Sequence, residues 1–104
     1  MNLIRKRMQI NFLKKKIIKK KFILGVIGLG YVGLPIANRF IKEGIKVFAL
    51  EQDLEKVKKL KKGINYIKNK SLKNFNYFKN NKKNVSNKYS ILKNCDVILV
   101  CLPT

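Results

Sequence analysis

The run Gly-Leu-Gly-Tyr-Val-Gly at positions 28–33 constrains this chain more than any other feature. A bare G-x-G-x-x-G arises often by chance, so its flanks have to carry the argument. Before it, residues 22–27 are a short apolar run with β-branched members, the pattern of a parallel strand buried on both faces. After it, Leu34, Ala37, Phe40 and Ile41 recur at helical spacing until Gly44 supplies a stop. Pro35 falls in or beside the first turn of that helix, where its missing N–H costs little. In this setting Gly28 lets the chain turn sharply off the strand and Gly30 lets backbone approach a ligand with no Cβ in the way. Gly33 lets helix and strand pack closely. A ligand-free structural turn is the alternative use of the same glycines.

The pattern continues downstream. Residues 46–50 predict a second strand, Asp53 an N-cap, and residues 54–62 a Lys-rich helix closed by Gly63. The stretch 64–94 is rich in Asn and Lys, with Tyr66, Phe75, Tyr77 and Phe78 scattered through it. It is read as a loop, a short helix over 71–79, a weak strand over 83–87 and a helical turn over 90–93. Residues 96–102 form a clear strand, with Pro103 and Thr104 beginning a loop. The expected fold is α/β: the first half of a Rossmann doubly wound parallel sheet over 22–104. A basic N-terminal extension over 1–21 precedes it, with Met8, Phe12, Leu13 and Ile17 spaced as on an amphipathic helix.

The chain of 104 residues is long enough for one small domain with a thin core. Its 25 Lys+Arg against 5 Asp+Glu give +20, a repulsive load at low salt. Attachment to nucleic acid or an acidic membrane is one explanation. The basic residues are mostly Lys, and Asn and Ile are abundant too, which favours compositional bias, with no specific nucleic acid and no membrane as partners. The charge-free segment 22–38 resembles a signal peptide's apolar region, but its four glycines and Pro35 make a poor continuous helix. There is no histidine, so neither a zinc site nor a Cys-His nucleophile can be assembled, and no metal is expected. Cys95 and Cys101 read as small core residues of a reducing, cytoplasmic compartment.

The residues point to a nicotinamide dinucleotide. Its diphosphate would rest on the unpaired amides and positive dipole end of the first helix, near Tyr31 and Val32. Glu51, at the end of the second strand, is placed to accept from the adenosine ribose hydroxyls and to repel a 2′-phosphate, favouring NAD over NADP. Otherwise it is a solvated carboxylate at a strand end. Lys56, in the first turn of the next helix, is a further candidate on the adenosine side, or an ordinary surface lysine. Thr104, where a strand's carboxyl end meets the crevice, is a candidate contact or a solvated loop residue.

The run Gly25-Val26-Ile27-Gly28-Leu29-Gly30-Tyr31-Val32-Gly33-Leu34-Pro35-Ile36-Ala37 closely resembles the opening of the UDP-glucose/GDP-mannose dehydrogenase family. Gly-Leu-Gly-Tyr-Val-Gly-Leu-Pro looks most like the branch that oxidises UDP-N-acetylhexosamines. Glu51 with Asp53 and Lys56-Val57, the segment 63–67, and Asp96-Val97-Ile98 leading into Pro103-Thr104 agree in order and spacing. The resemblance implies NAD as cofactor. It also implies oxidation of a UDP-sugar's C6 hydroxymethyl to a carboxylate for cell-surface polysaccharide, by a homo-oligomeric parent enzyme. It carries over Gly28, Gly30, Tyr31, Val32, Gly33, Glu51 (where the family usually has Asp), Lys56 and Thr104 as cofactor contacts. No catalytic residue carries over: the family's nucleophilic cysteine, its lysine and its sugar-nucleotide site belong beyond position 104. The chain is therefore expected to be a fragment, inactive and poorly stable alone.

Other readings predict different behaviour. A nucleotide-sensing regulatory module would use the same loop without chemistry, but leaves Leu34-Pro35 and Pro103-Thr104 unexplained. A basic nucleic-acid binder would need aromatics interleaved with arginines as a stacking platform. A flavin fold can use the same loop and acidic residue.

Overall fold

Ile23-Leu24-Gly25-Val26-Ile27 forms the central strand because both of its faces and both of its edges find partners. The computed structural model describes residues 21–101; the expected N-terminal helix and Thr104 lie outside them. Strands β1 (Ile23–Ile27), β2 (Lys46–Leu50), β3 (Val85–Ser86) and β4 (Val97–Val100) make one parallel sheet in the order β3-β2-β1-β4. Helices α1 (Gly33–Lys42) and α2 (Leu54–Lys61) lie in the β1-to-β2 and β2-to-β3 crossovers, and a single turn of helix, α3 (Tyr77–Asn80), follows. Three short 3-10 turns, Lys70–Leu72, Lys82–Asn84 and Tyr89–Leu92, complete the elements among the described residues.

Strand register separates the two faces of the sheet, since partners directly opposite project to the same side. Leu24 pairs with Val47 and Val97, and Val26 with Ala49 and Leu99. These residues pack with Leu34 and Ala37 of α1 and Val57 and Leu60 of α2 in one core. The opposite face carries Gly25, Phe48 and Ile98 in one row and Ile27, Leu50 and Val100 in the next. Leu92 and Cys95 come within 3.0 Å of where a Gly25 side chain would stand, so the crossover into β4 shields that point. Ile98 and Val100 remain 46% and 60% exposed.

The charge-free segment 22–38, which a hydropathy reading could take for an export signal, is broken into β1, a loop and α1. No helix among the described residues is long and apolar enough to cross a membrane.

Two expectations between residues 64 and 94 need correction. The single helix over 71–79 is two pieces, the turn Lys70–Leu72 and then α3. The chain bends between them to bury Leu72 and to set Phe75 edge-on to Phe78, with ring centroids 5.7 Å apart. The strand over 83–87 shrinks to Val85 and Ser86. Its place beside Val47 is taken by side chains: the Tyr77 hydroxyl accepts from the Val47 N–H at 3.1 Å, and Asn84 Nδ2 donates to the Val47 carbonyl at 3.1 Å. Strand pairing therefore begins only at Ala49, opposite Val85.

Tyr77→Phe should accordingly cost about 1 kcal/mol, because it leaves a half-buried strand amide without its acceptor. For a domain of this size that is a fall in melting temperature of roughly 4–8 °C, measurable by circular dichroism. An unchanged midpoint would mean that solvent replaces the hydroxyl at no cost.

Candidate dinucleotide-binding site

At the carboxyl ends of β1 and β2, beside the point where the strand order reverses between β1 and β4, lies a cavity of about 450 Å³. Open α/β sheets place ligands at such a switch point. Gly28, Gly30, Tyr31, Val32, Glu51 and Lys56 all line it, so the structure brings together six of the eight residues singled out from sequence. Gly33 is buried behind the loop, where a side chain would collide with the Gly28 carbonyl. Its part is the close helix-to-strand approach. Gln52 and Cys101 also line the cavity, along with Ile27 and Leu50; none of these is among the cofactor contacts expected from the sequence.

The loop is built from backbone. Gly28 leaves β1 with φ of 90°, a conformation that L side chains rarely adopt, and its N–H donates to the Leu50 carbonyl at 2.9 Å. A Cβ on Gly28 would strike the Cys101 carbonyl, whereas a Cβ on Gly30 would meet no protein atom within 4 Å. Gly30 therefore faces open space. α1 has no side-chain N-cap and no acidic residue in its first turn. Its first internal bond runs from Leu34 N–H to the Gly30 carbonyl, so the amides of Tyr31, Val32 and Gly33 precede the helical ladder. α2 differs: Asp53 caps it by accepting from the Glu55 N–H at 3.0 Å, and Glu55 stands in its first turn. The uncapped helix, with its positive end toward the cavity, is the one suited to an anion.

Glu51 is not a solvated carboxylate. It is 8% exposed, with Oε1 accepting from the Leu29 N–H at 2.9 Å and Oε2 from the Asp53 N–H at 2.8 Å. One side chain thus joins the glycine loop to the cap of α2, and each oxygen retains a lone pair for a further donor. Tyr66, from the irregular segment after α2, donates its hydroxyl to the Leu29 carbonyl at 2.6 Å. The Lys56 ammonium stands 5.7 Å from the centre of the Tyr66 ring.

Burial, and then the neighbouring carboxylates of Glu51 and Asp53, push the Tyr66 phenol well above its ordinary value. A phenol in the unfolded chain releases its proton near about pH 10, the folded one only at higher pH. Stability from this group is therefore complete below about pH 10 and declines as pH rises beyond it. Tyr66→Phe should lack that alkaline decline, which melting curves of both chains between about pH 8 and pH 11 would show.

Among the described residues no group of three or more His, Cys, Asp or Glu is placed to hold a metal. Cys95 and Cys101 are both free and half-buried; burial, and then Asp96, push the Cys95 thiol up.

A β-α-β-α-β order with a glycine bend at the first strand-to-helix junction defines a Rossmann-like half-domain of the dinucleotide-binding class. The profile of the UDP-glucose/GDP-mannose dehydrogenase family, NAD binding domain, matches residues 23–104, and the chain belongs to that family. Among curated proteins it is similar to UDP-N-acetyl-D-mannosamine dehydrogenase of Methanococcus vannielii, 33% identical over 91 residues. That alignment covers 88% of this chain and 20% of the relative, so the chain spans about a fifth of that protein's length. No solved structure matches the chain significantly.

Proposed function

We propose that this chain binds NAD through its diphosphate and adenosine ribose, as the cofactor-holding part of a nucleotide-sugar dehydrogenase. In this reading the diphosphate lies over Gly30 against the amides of Tyr31 and Val32, Glu51 accepts from a ribose hydroxyl, and Lys56 flanks the adenosine. Thr104 is a further contact with the cofactor. The carrying observation is the cavity at the switch point, where an uncapped helix end, a side-chain-free loop and a carboxylate at the end of β2 converge.

The sugar follows from the relative's name, UDP-N-acetyl-D-mannosamine dehydrogenase, and from the Gly-Leu-Gly-Tyr-Val-Gly-Leu-Pro run. The parent reaction is oxidation of the C6 hydroxyl of a UDP-N-acetylhexosamine to a uronate, in the cytoplasm, by a homo-oligomer. Bound NAD supplies the hydride acceptor. The residues here orient its adenosine half, whereas hydride transfer also needs groups that hold the reactive ring against the alcohol. We assign no catalytic residue within these 104 positions.

Titration of the purified chain with NADH and NADPH, followed by nucleotide fluorescence, tests the reading. NADH should bind at least about tenfold more tightly, since a 2′-phosphate would meet the Glu51 carboxylate. Equal affinity, or none for NADH, would remove this assignment. Incubation with NAD and UDP-N-acetylmannosamine should yield no NADH, and turnover would show that the chain is a complete enzyme.

A further inference from the structure

Leu29, at the centre of the glycine loop, is gripped through both of its backbone polar groups, which belong to the successive peptides Gly28–Leu29 and Leu29–Gly30. Its N–H is held by Glu51 and its carbonyl by Tyr66, while the Leu29 side chain is fully buried. Residues 22 and 37 positions away in the chain thus converge on the backbone of one residue, holding the two peptides that flank it. The sequence does not single out Tyr66 as a cofactor contact and it does not line the cavity, yet its ring also lies under Lys56, which does.

We infer that Tyr66 is a positioning residue for the dinucleotide site: its hydroxyl fixes the plane of the Leu29–Gly30 peptide, and its ring seats the Lys56 ammonium toward the adenosine side. The inference rests on the NAD-binding reading and deepens it.

Three physical points support it. A rotation of the Leu29–Gly30 peptide would turn the Gly30 N–H with it, because the peptide is planar and stiff, and would re-aim the chain entering Tyr31. Glu51 alone cannot prevent this, since the Leu29 N–H it holds belongs to the preceding Gly28–Leu29 peptide. A loop that is rigid before the ligand arrives loses less conformational freedom on binding than one that must be ordered. The phenol is also held in its donating, protonated form by its surroundings, so the grip persists across the neutral range.

The test compares the 104-residue chain with Tyr66→Phe, Tyr66→Leu and Tyr77→Phe. The last is a control: it removes a hydroxyl from the Val47 backbone, away from the cavity. NADH affinity by fluorescence, melting temperature, and amide exchange of residues 28–31 without ligand are read for each. Tyr66→Phe should weaken NADH binding about fivefold and speed exchange of the Leu29 amide by roughly tenfold, the scale of one lost hydrogen bond. Tyr66→Leu should weaken binding further, since it also removes the shelf under Lys56. Tyr77→Phe should lower the melting temperature without altering either quantity.

If Tyr66→Phe binds NADH as the unaltered chain does, or leaves loop exchange unchanged, the positioning role is overturned. If all variants lose affinity in proportion to stability, Tyr66 is structural only and the inference equally fails. If the unaltered chain binds no NADH, the functional reading falls and the ligand part of the inference with it. The exchange data then decide the brace on Leu29 separately.

Discussion

Gly33→Ala should melt more than about 12 °C below the unaltered chain, the fall that ~3 kcal/mol of overpacking produces in a domain of this size. The new methyl group would fall on the Gly28 carbonyl and within 3.2 Å of Cys101 Cβ, so no flexible side chain end can swing aside. Relief requires α1 to move off β1, and that movement opens the buried contacts of Leu34 and Ala37. Against a total stability of roughly 5–15 kcal/mol, such a loss is severe for a small domain. Gly30→Ala, three residues earlier, should behave in the opposite way. With nothing within 4 Å, its methyl group leaves the melting temperature within about 2 °C, yet it projects where the diphosphate is proposed to lie. NADH affinity should fall at least about tenfold, or ~1.4 kcal/mol. Circular dichroism and NADH titration of the two variants decide the matter. Equal effects of both substitutions on stability would contradict the division of labour between these glycines.

Glu51→Ala is the second large effect. Two amides lose their acceptor together, Leu29 in a buried setting and Asp53 in a half-buried one. At about 1–3 kcal/mol for each buried orphan, the expected cost is roughly 2–4 kcal/mol. Because one carboxylate ties the glycine loop to the α2 cap, the damage should spread to both. The exchange of the Glu55 amide, bonded to Asp53, should rise together with that of Leu29. Glu51→Gln is the more discriminating variant: its amide nitrogen would face a backbone N–H, so one of the two bonds is lost and one remains. An outcome in which Glu51→Gln matches the unaltered chain in melting and in NADH affinity would sink the account of Glu51.

The five acidic residues of this strongly basic chain are placed with some economy. Glu51, Asp53 and Asp96 accept from backbone amides, the last from Ile23 N–H at 2.8 Å where β1 begins. Glu43, at the C-cap of α1, and Glu55, in α2, form exposed ion pairs with Arg39 and Lys58, contacts of small energetic weight. Carboxylates thus remain where backbone geometry uses them. Among the described residues, lysines such as Lys58, Lys59, Lys68 and Lys88 stand at exposed positions.

Ile98 and Val100 share the sheet face that lacks a covering helix among the described residues. Exposed apolar side chains on an edge strand invite association between chains.

What the sequence determined by itself was local. The bend at Gly28, the start of α1, the Asp53 cap of α2 and the apolar strands β1, β2 and β4 each follow from neighbours within a few positions, where backbone freedom, capping and hydrophobic period leave a direct trace. The tertiary structure alone decided how Leu29 and Val47 are held. Tyr66 reaches Leu29 across 37 residues, Tyr77 reaches Val47 across 30 and Asn84 reaches it across 37. A hydrogen bond from a side chain to a distant backbone group imposes no period on the chain between its ends. The segment from 64 to 94 therefore looks irregular in sequence, although its side chains complete both the sheet edge and the glycine loop.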